Sequence, residues 1–577
     1  MRRVVPVALI LSLAFALRAW GANFGLPYLY QPDESIVVRT ALQVGDGSLR
    51  PYSFVYPALY SYLLFPFYGV YYVLGFALGQ FHTLDDFAIT FIGDPTWFYL
   101  IARLIVALFG TATVGVIYLI GRWNYDHLTG LLAALFLAVT PLHVVHSHYS
   151  VTDIPMTFTV ALAMLGISRF HNTARTRDFL LAAVTCGVAG AMKYTGILVT
   201  LPLVLSAGIV TLSKRWPLGQ LLKSEMVGAV AVVVAFSVAA PYTLIDFGAF
   251  YRELFVFQQG MNREAGQSFL DILSFYLQVV IGNDVISDSL GVISLAGFVF
   301  LLIRHKAVDL LLLSLPAFFL VAMATQGRHQ PNWMLPTVPF FSLYAAVLIS
   351  TLLGKISPIG WGMKLAASIV ILALVYAPVR NSIFLDYEMS QKDTRTIAKE
   401  WIENNIDADS KVLIDSPGAG PQLRANRASL EKYFNDKAED KSLSQAPAEV
   451  RQTFAKYERY SLEALNRYGG KTYYVDYVFH EWWKPQENAE DLAVYPVFGN
   501  FKRKLFSIEE LRELGFDYVV VTGESRAYYM SEEGRQKWPT YYQFYKSLDQ
   551  GIEQLQEFRP IPLHAPGPTI RVYMISK

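Results

Sequence analysis

Residues 58–80 read ALYSYLLFPFYGVYYVLGFALGQ, an apolar run without a charged side chain. A run of this length can cross roughly 30 Å of hydrocarbon. Whether it does so alone decides on which side of a membrane the rest of the chain lies. Basic clusters stand at Arg2-Arg3, Arg122, Arg169 to Arg177, Lys214-Arg215 with Lys223, Arg304-His305-Lys306, and Lys355 with Lys364. The positive-inside rule asks for all of them in the cytoplasm. They can share that side on one condition: the stretch Ala58–Gln80 lies at the interface, re-enters, or crosses twice, and so does not change the side of the chain.

Under that condition the crossings fall near 4–20, 97–121, 128–146, 154–170, 178–192, 196–212, 226–241, 288–303, 308–325, 333–354 and 364–380, about 11 helices of the length a bilayer needs. The composition agrees, with 53% hydrophobic and 16% charged residues and a mean hydropathy of +0.33, too apolar for an ordinary soluble protein. A formal net charge of +1 argues against nucleic acid as a partner. The single cysteine, Cys186, permits no internal disulfide and says nothing about redox compartment. The start Arg2-Arg3 followed by Val4 to Ala16 has the look of a signal peptide, but Arg18 and Trp20 interrupt the region of a cleavage site. An uncleaved first helix is the better reading.

The unusual polar residues then fall on the external side: Asp33-Glu34 after the first helix, the turn ending in Asp153, Lys193 between two short segments, the loop Pro241–Ser287, and Arg328. Ionisable groups at membrane helix ends are functional candidates by default. A carboxylate such as Asp33 can take a proton from an acceptor hydroxyl. Lys193 and Arg328 can stabilise a leaving phosphate. Asp153 and Glu34 can orient the acceptor or hold a divalent ion, and His146 with Asp153 is a metal-ligand pairing. Simpler roles stand beside these. Asp33 suits the N-cap of a helix Glu34–Val44, Lys193 and Arg328 suit interfacial anchors, and His143, His146 and His148 suit hydrogen-bonded interface positions.

Past Arg380 the composition turns mixed and charged, which divides the chain into a membrane domain, 1–380, and an α/β domain, 381–577. The pattern predicts helices at Thr394–Asn405 and Ile508–Leu514 and strands at Lys411–Asp415, Tyr518–Thr522 and Ile570–Ile575. Glu431–Asn488, rich in Tyr, Trp, Lys and Glu, reads as a surface insertion.

Four stretches resemble the family 39 C-type membrane glycosyltransferases, which include protein O-mannosyltransferases and the lipid A aminoarabinose transferase. They are Gln31-Pro32-Asp33-Glu34, Ser147 to Pro155 (SHYSVTDIP), Ala191-Met192-Lys193-Tyr194, and Arg328 to Pro339 (RHQPNWMLPTVP). The segment Asp393 to Ile402 is similar to the start of the external domain in bacterial relatives. The resemblance implies a polytopic helical fold and an external α/β domain. It implies a polyprenyl-phosphate sugar donor, Asp33 as base and Lys193 as a donor-phosphate contact. Tyr56, His148, His329 and Trp333 fall where a substrate cavity is implied. Val55-Tyr56 replaces a charged pair of the aminoarabinose transferases, and Trp333 stands where tyrosine is commoner. Both departures argue against a lipid A substrate. The implied reaction is inverting transfer to an unknown acceptor (protein, lipid or glycan) at the outer face of the plasma membrane, with a divalent ion as the one conceivable cofactor. A transporter or flippase of lipid-linked sugars is the rival reading, since intramembrane charges also mark transport paths.

Overall fold

The computed structural model describes residues 4–45, 47–258, 267–282, 285–355, 361–416, 418–439, 443, 448–478 and 507–575. Eight spans among them are long and apolar enough to cross a membrane, at Leu59–Ala77, Thr96–Asn124, Asp153–Thr173, Tyr194–Leu212, Leu218–Ala239, Ala307–Ala324, Pro331–Gly354 and Leu365–Asn405, the last of which holds most of the helix Trp361–Met389. Val4–Ala19, His127–Ala138 and Phe269–Ile281 are shorter apolar helices. The chain forms two compact units. The helical unit comprises Met1–Ala22, Ile36–Tyr68 and Leu100–Asp386, and the second unit comprises Asn23–Ser35, Gly69–Tyr99 and Tyr387–Lys577.

The helical unit has two chemically distinct ends. At one end the basic clusters gather. Arg215 donates to the carbonyls of His171 and Asn172, both at 2.6 Å, and Trp216 Nε1 donates to Ala174 O at 2.7 Å. Arg169 pairs with Asp178 at 3.0 Å. Asn172 Nδ2 reaches Asn124 Oδ1 at 3.4 Å. Tyr125 and Arg304 both donate to Asp309, at 2.8 and 2.6 Å. The helix Asp153–Thr173 has 21 residues, so its first residue lies about 30 Å from this basic end. Close packing without a hydrophobic driving force requires small residues. Gly187 shows it: a Cβ there would stand 2.4 Å from the Val232 carbonyl of the neighbouring helix.

Two helices bear on the condition set for residues 58–80. Gly110 and Gly115 of Thr96–Asn124 face Arg18 and Leu11 of Val4–Ala19. The two helices are therefore antiparallel, with Arg18 at the level of Gly110. Arg18 donates to the carbonyls of Leu137 and Ala138, at 3.2 and 3.0 Å, which places it at the far end of His127–Ala138. Tyr60 donates to Ala102 O at 3.0 Å and Tyr71 packs on Phe98 with ring centroids 5.3 Å apart. The helix Leu59–Ala77 thus runs back beside the first turns of Thr96–Asn124 instead of along its whole length.

In the second unit a five-stranded sheet has the order β2-β1-β3-β5-β4, with β1 Lys411–Ile414, β2 Tyr474–Tyr477, β3 Tyr518–Thr522, β4 Glu553–Phe558 and β5 Ile570–Met574. β1 is parallel to β2 and β3, and β5 is antiparallel to β3 and β4. Period-two alternation sends Leu413, Val519, Val521 and Tyr573 into a core with Leu511, Phe544, Tyr545 and Leu548. Val412, Ile414, Val520 and Val572 pack on the other face against Ala398, Ile402 and Ile406. The predicted helix Thr394–Asn405 forms as read, as do three of the strands within a residue of their ends. Glu431–Asn488 is not a surface insertion as far as it is described. It holds most of the helix Arg427–Ala438, the helix Ala448–Arg467 and the strand β2, which is built into the sheet beside β1; residues 479–488 lie outside the described residues. Arg459 and Arg467 pair with Asp85 and Asp86 of the helix Leu84–Gly93, each at 2.8 Å, so this excursion from the membrane sequence belongs to the second unit.

Two expectations follow. In intact cells an impermeant thiol reagent labels Asn23→Cys and leaves Arg175→Cys unlabelled, because these exposed positions follow opposite ends of the helical unit; the buried Cys186 stays silent. The reverse pattern would invert the orientation. The second concerns Asp415, wholly buried at the end of β1, where Thr522 N–H donates to both carboxylate oxygens and Tyr545 donates at 3.0 Å. Burial outweighs these bonds and pushes its pKa from 3.8 up to about 7. A raised carboxyl contributes stability that is complete below the unfolded value and lost as pH rises through the folded one. Melting of the detergent-solubilised protein should therefore weaken between pH 4 and pH 7 more steeply in the wild type than in Asp415→Asn. Parallel curves would remove the buried carboxyl as the cause.

Candidate active site

The end of the helical unit opposite the basic clusters is built around Asp153. The turn Ser147–Thr152 delivers this residue as the first of the helix Asp153–Thr173, with its side chain only 3% exposed. A buried carboxylate needs a counter-charge and hydrogen bonds. Lys193 supplies the first, with Nζ 2.8 Å from Asp153 Oδ1, and Asn332 Nδ2 donates to the same oxygen at 3.2 Å.

Lys193 reaches this position because the helix Thr176–Met192 stops at it. Its backbone is extended, and the chain re-enters as the tight turn Tyr194–Val199 before the helix Thr200–Leu212. The turn packs so closely that a Cβ on Gly196 would stand 2.3 Å from Ala189 O. The two short segments read from the sequence are thus two passages, one rising from the basic end to Lys193 and one returning to Arg215, with the cation at the turn between them. The ammonium lies 5.6 Å from the centre of the Tyr56 ring, within cation–π range.

Beside the lysine is a shallow aromatic cleft walled by Pro51, Phe54, Tyr56, Tyr62, Tyr194 and Tyr242, among others. Its rim is fastened. Tyr194 donates to Phe54 O at 3.0 Å, Glu253 accepts from Ser53 Oγ at 2.8 Å and from Phe54 N–H at 2.5 Å, and Arg50 pairs with Asp246 at 2.9 Å. Trp333 follows Asn332 in the turn Pro331–Thr337 and lies 5.5 Å beneath the Arg328 guanidinium. His329 bonds Gln267 at 2.7 Å and stacks on Phe275 at 3.7 Å.

The structure therefore brings together Asp153, Lys193 and Tyr56, and adds Asn332, a residue of the Arg328 to Pro339 stretch that is not among the candidates from sequence. The signal was present: a carboxamide directly after the turn-forming Pro331. Arg328, His329 and Trp333 share the loop that carries Asn332. His148 departs from its expected place in a substrate cavity. It is wholly buried, with Nδ1 3.0 Å from Val144 O and Nε2 2.7 Å from Trp20 O, and Asp386 lies 3.6 Å away. Both nitrogens serve the scaffold, as does Arg18, which binds His143 Nδ1 at 3.0 Å. As for a metal at His146 and Asp153, no group of three His, Cys, Asp or Glu side chains that could hold an ion occurs among the described residues. Asp33 and Glu34 belong to the second unit. There Gln31-Pro32 turns into the helix Glu34–Gly45, with Glu34 N–H on Gln31 O and Ser35 N–H on Pro32 O, both at 3.3 Å. Glu34 is buried and Asp33 partly exposed.

Comparison with known proteins agrees with this architecture. Residues 91–245, which include Asp153 and Lys193, match the family model described as dolichyl-phosphate-mannose-protein mannosyltransferase. The crystal structure of ArnT from Cupriavidus metallidurans bound to undecaprenyl phosphate superposes with a TM-score of 0.52 at 14% identity, covering 99% of this chain and 97% of ArnT. Its apo form gives 0.52 at 13% identity over the same shares. The archaeal oligosaccharyltransferase AglB from Archaeoglobus fulgidus, in complex with an inhibitory peptide and a dolichol-phosphate, gives 0.47 at 12% identity over 92% of this chain and 71% of that one. No curated protein sequence matches. The chain has the multi-pass C-type glycosyltransferase fold.

Removing one partner of a buried ion pair strands the other. Lys193→Met should lower stability by about 3 kcal/mol, the scale for an uncompensated buried charge, and adding Asp153→Asn should restore melting without restoring activity. A single variant that melts like the wild type would show that Asp153 does not depend on Lys193.

Proposed function

We propose that the protein transfers a single sugar, a hexose or pentose, from a polyprenyl-phosphate carrier to an acceptor hydroxyl on a protein, lipid or glycan at the outer face of the plasma membrane. The observation that carries this reading is the Asp153–Lys193–Asn332 cluster beside an aromatic cleft, set at one end of a helical unit with a C-type glycosyltransferase fold. A cation held at a helix break can meet an anionic headgroup while the lipid tail stays in the hydrocarbon. Tyrosine faces with hydroxyl edges suit the apolar face and polar rim of a sugar ring.

In the proposed step the acceptor oxygen attacks the anomeric carbon from the face opposite the carrier. The bond from that carbon to the phosphate oxygen breaks, polyprenyl phosphate leaves with the electron pair, and the acceptor proton passes to Asp33. One displacement inverts the anomeric centre. Lys193, oriented by Asp153 and Asn332, stabilises the charge that grows on the departing phosphate, and Arg328 is a second candidate for that role. Asp33 takes the base role from its motif and its residue type.

Asp33→Asn preserves shape and helix-capping ability but cannot accept a proton. Transfer from a lipid-linked donor should fall by at least about a hundredfold while donor binding and melting stay at wild-type values. Near-normal turnover would move the base to Glu34 or another carboxylate.

A further inference from the structure

The Gln31-Pro32-Asp33-Glu34 turn is tied to the C-terminal residues of its own unit by contacts that converge on the three residues before it. Gln422, in the loop after β1, grips the backbone of Leu29 from both sides: its Nε2 donates to Leu29 O at 2.6 Å and its Oε1 accepts from Leu29 N–H at 3.2 Å. Tyr30 Oη shares a hydrogen bond of 2.5 Å with Thr396 Oγ1. The Arg395 guanidinium lies 3.7 Å from the centre of the Tyr30 ring, and Lys399 Nζ lies 5.1 Å from that of Tyr28. Arg395 is itself fixed, because both Asp393 oxygens accept from it at 2.8 Å. The helix start that carries it is pinned by Thr394, whose N–H and Oγ1 donate to Pro566 O and Pro568 O, both at 2.7 Å. Tyr30 is 9% exposed, so the ring is a buried plug rather than a surface contact.

We infer that the C-terminal α/β sequence is a positioning element for Asp33, acting through Gln422, Thr396 and Arg395 on Leu29 and Tyr30. This rests on the proposed transfer reaction with Asp33 as its base. Two residues separate Tyr30 from Asp33, and the Gln31–Ser35 turn that carries Asp33 is closed by its own hydrogen bonds, including Ser35 Oγ to Pro32 O at 2.9 Å. A fixed Tyr30 therefore sets where the Asp33 carboxylate stands. Geometry of this kind governs the rate of the chemical step more than ground-state binding. Arg395 suits the task better than a lysine would, since a planar guanidinium can stack on the ring while its edge holds Asp393.

The test uses full-length protein in lipid nanodiscs with a polyprenyl-phosphate sugar, and reads steady-state transfer together with hydrogen exchange of the peptide 26–35. Gln422→Ala and Arg395→Ala should lower kcat by about tenfold to a hundredfold, the scale of a small misplacement. Donor KM should stay within about twofold, as for an effect on the chemical step. Exchange in 26–35 should speed up while melting stays at the wild-type value. Tyr30→Phe, which keeps the ring under Arg395, should retain most of the activity that Tyr30→Ala loses. Faster exchange with unchanged kcat would leave an anchor without catalytic effect and overturn the inference, as would unchanged exchange. A wild type inactive with every donor defeats the transfer reading instead, and the exchange measurement still decides whether the anchor exists.

Discussion

A charge removed from water must find an opposite charge or a set of dipoles nearby, because the alternative costs several kcal/mol. The helical unit is arranged by that requirement. At one end Asp309 collects Arg304 and Tyr125, and Asp178 collects Arg169 and Thr173. Inside, Arg18 and Arg103 lie wholly buried and discharge onto backbone carbonyls, Arg103 on Ala22 O at 2.9 Å. At the other end Asp153 draws Lys193 and Asn332 from two distant parts of the sequence to one oxygen. Helix order, the break at Lys193 and the loop after Gly327 all serve that convergence.

Much of this was legible without coordinates. Charge asymmetry alone asked that residues 58–80 not move the chain across, and Val4–Ala19 packs antiparallel to Thr96–Asn124. Lys193 stood out in the sequence as a cation between two short apolar segments, but its pairing with Asp153 could not be read there. His148 was misread for a physical reason: a histidine next to an acidic motif looks the same in sequence whether its nitrogens face a cavity or two carbonyls. Strand β2 escaped notice because its sequence, Tyr-Val-Asp-Tyr, lies in a charged, aromatic context and owes its strand state to pairing with β1. The assignment of residues 23–35 and 69–99 to the second unit was invisible for a similar cause. It rests on long-range packing, such as Gln422 on Leu29 and the helix Ala448–Arg467 on Leu84–Gly93, and no local pattern encodes it.

The pairing of Lys193 with Asp153 bears on how the proposed reaction would be accelerated. A sugar-phosphate-lipid donor is a phosphodiester with one negative charge, and the released carrier is a monoester that gains a second as the bond breaks. A free lysine in an apolar site would bind both strongly and hold the donor in a deep ground-state well. A lysine already balanced by Asp153 presents a nearly neutral pair to the donor, yet keeps ammonium hydrogens aimed by fixed partners. Its stabilisation then grows with the charge that appears during bond cleavage, which is the differential binding that raises a rate rather than an affinity. The burial that makes Asp153 need a counter-charge would, in the proposed reaction, also aim the lysine at the charge that appears in the transition state.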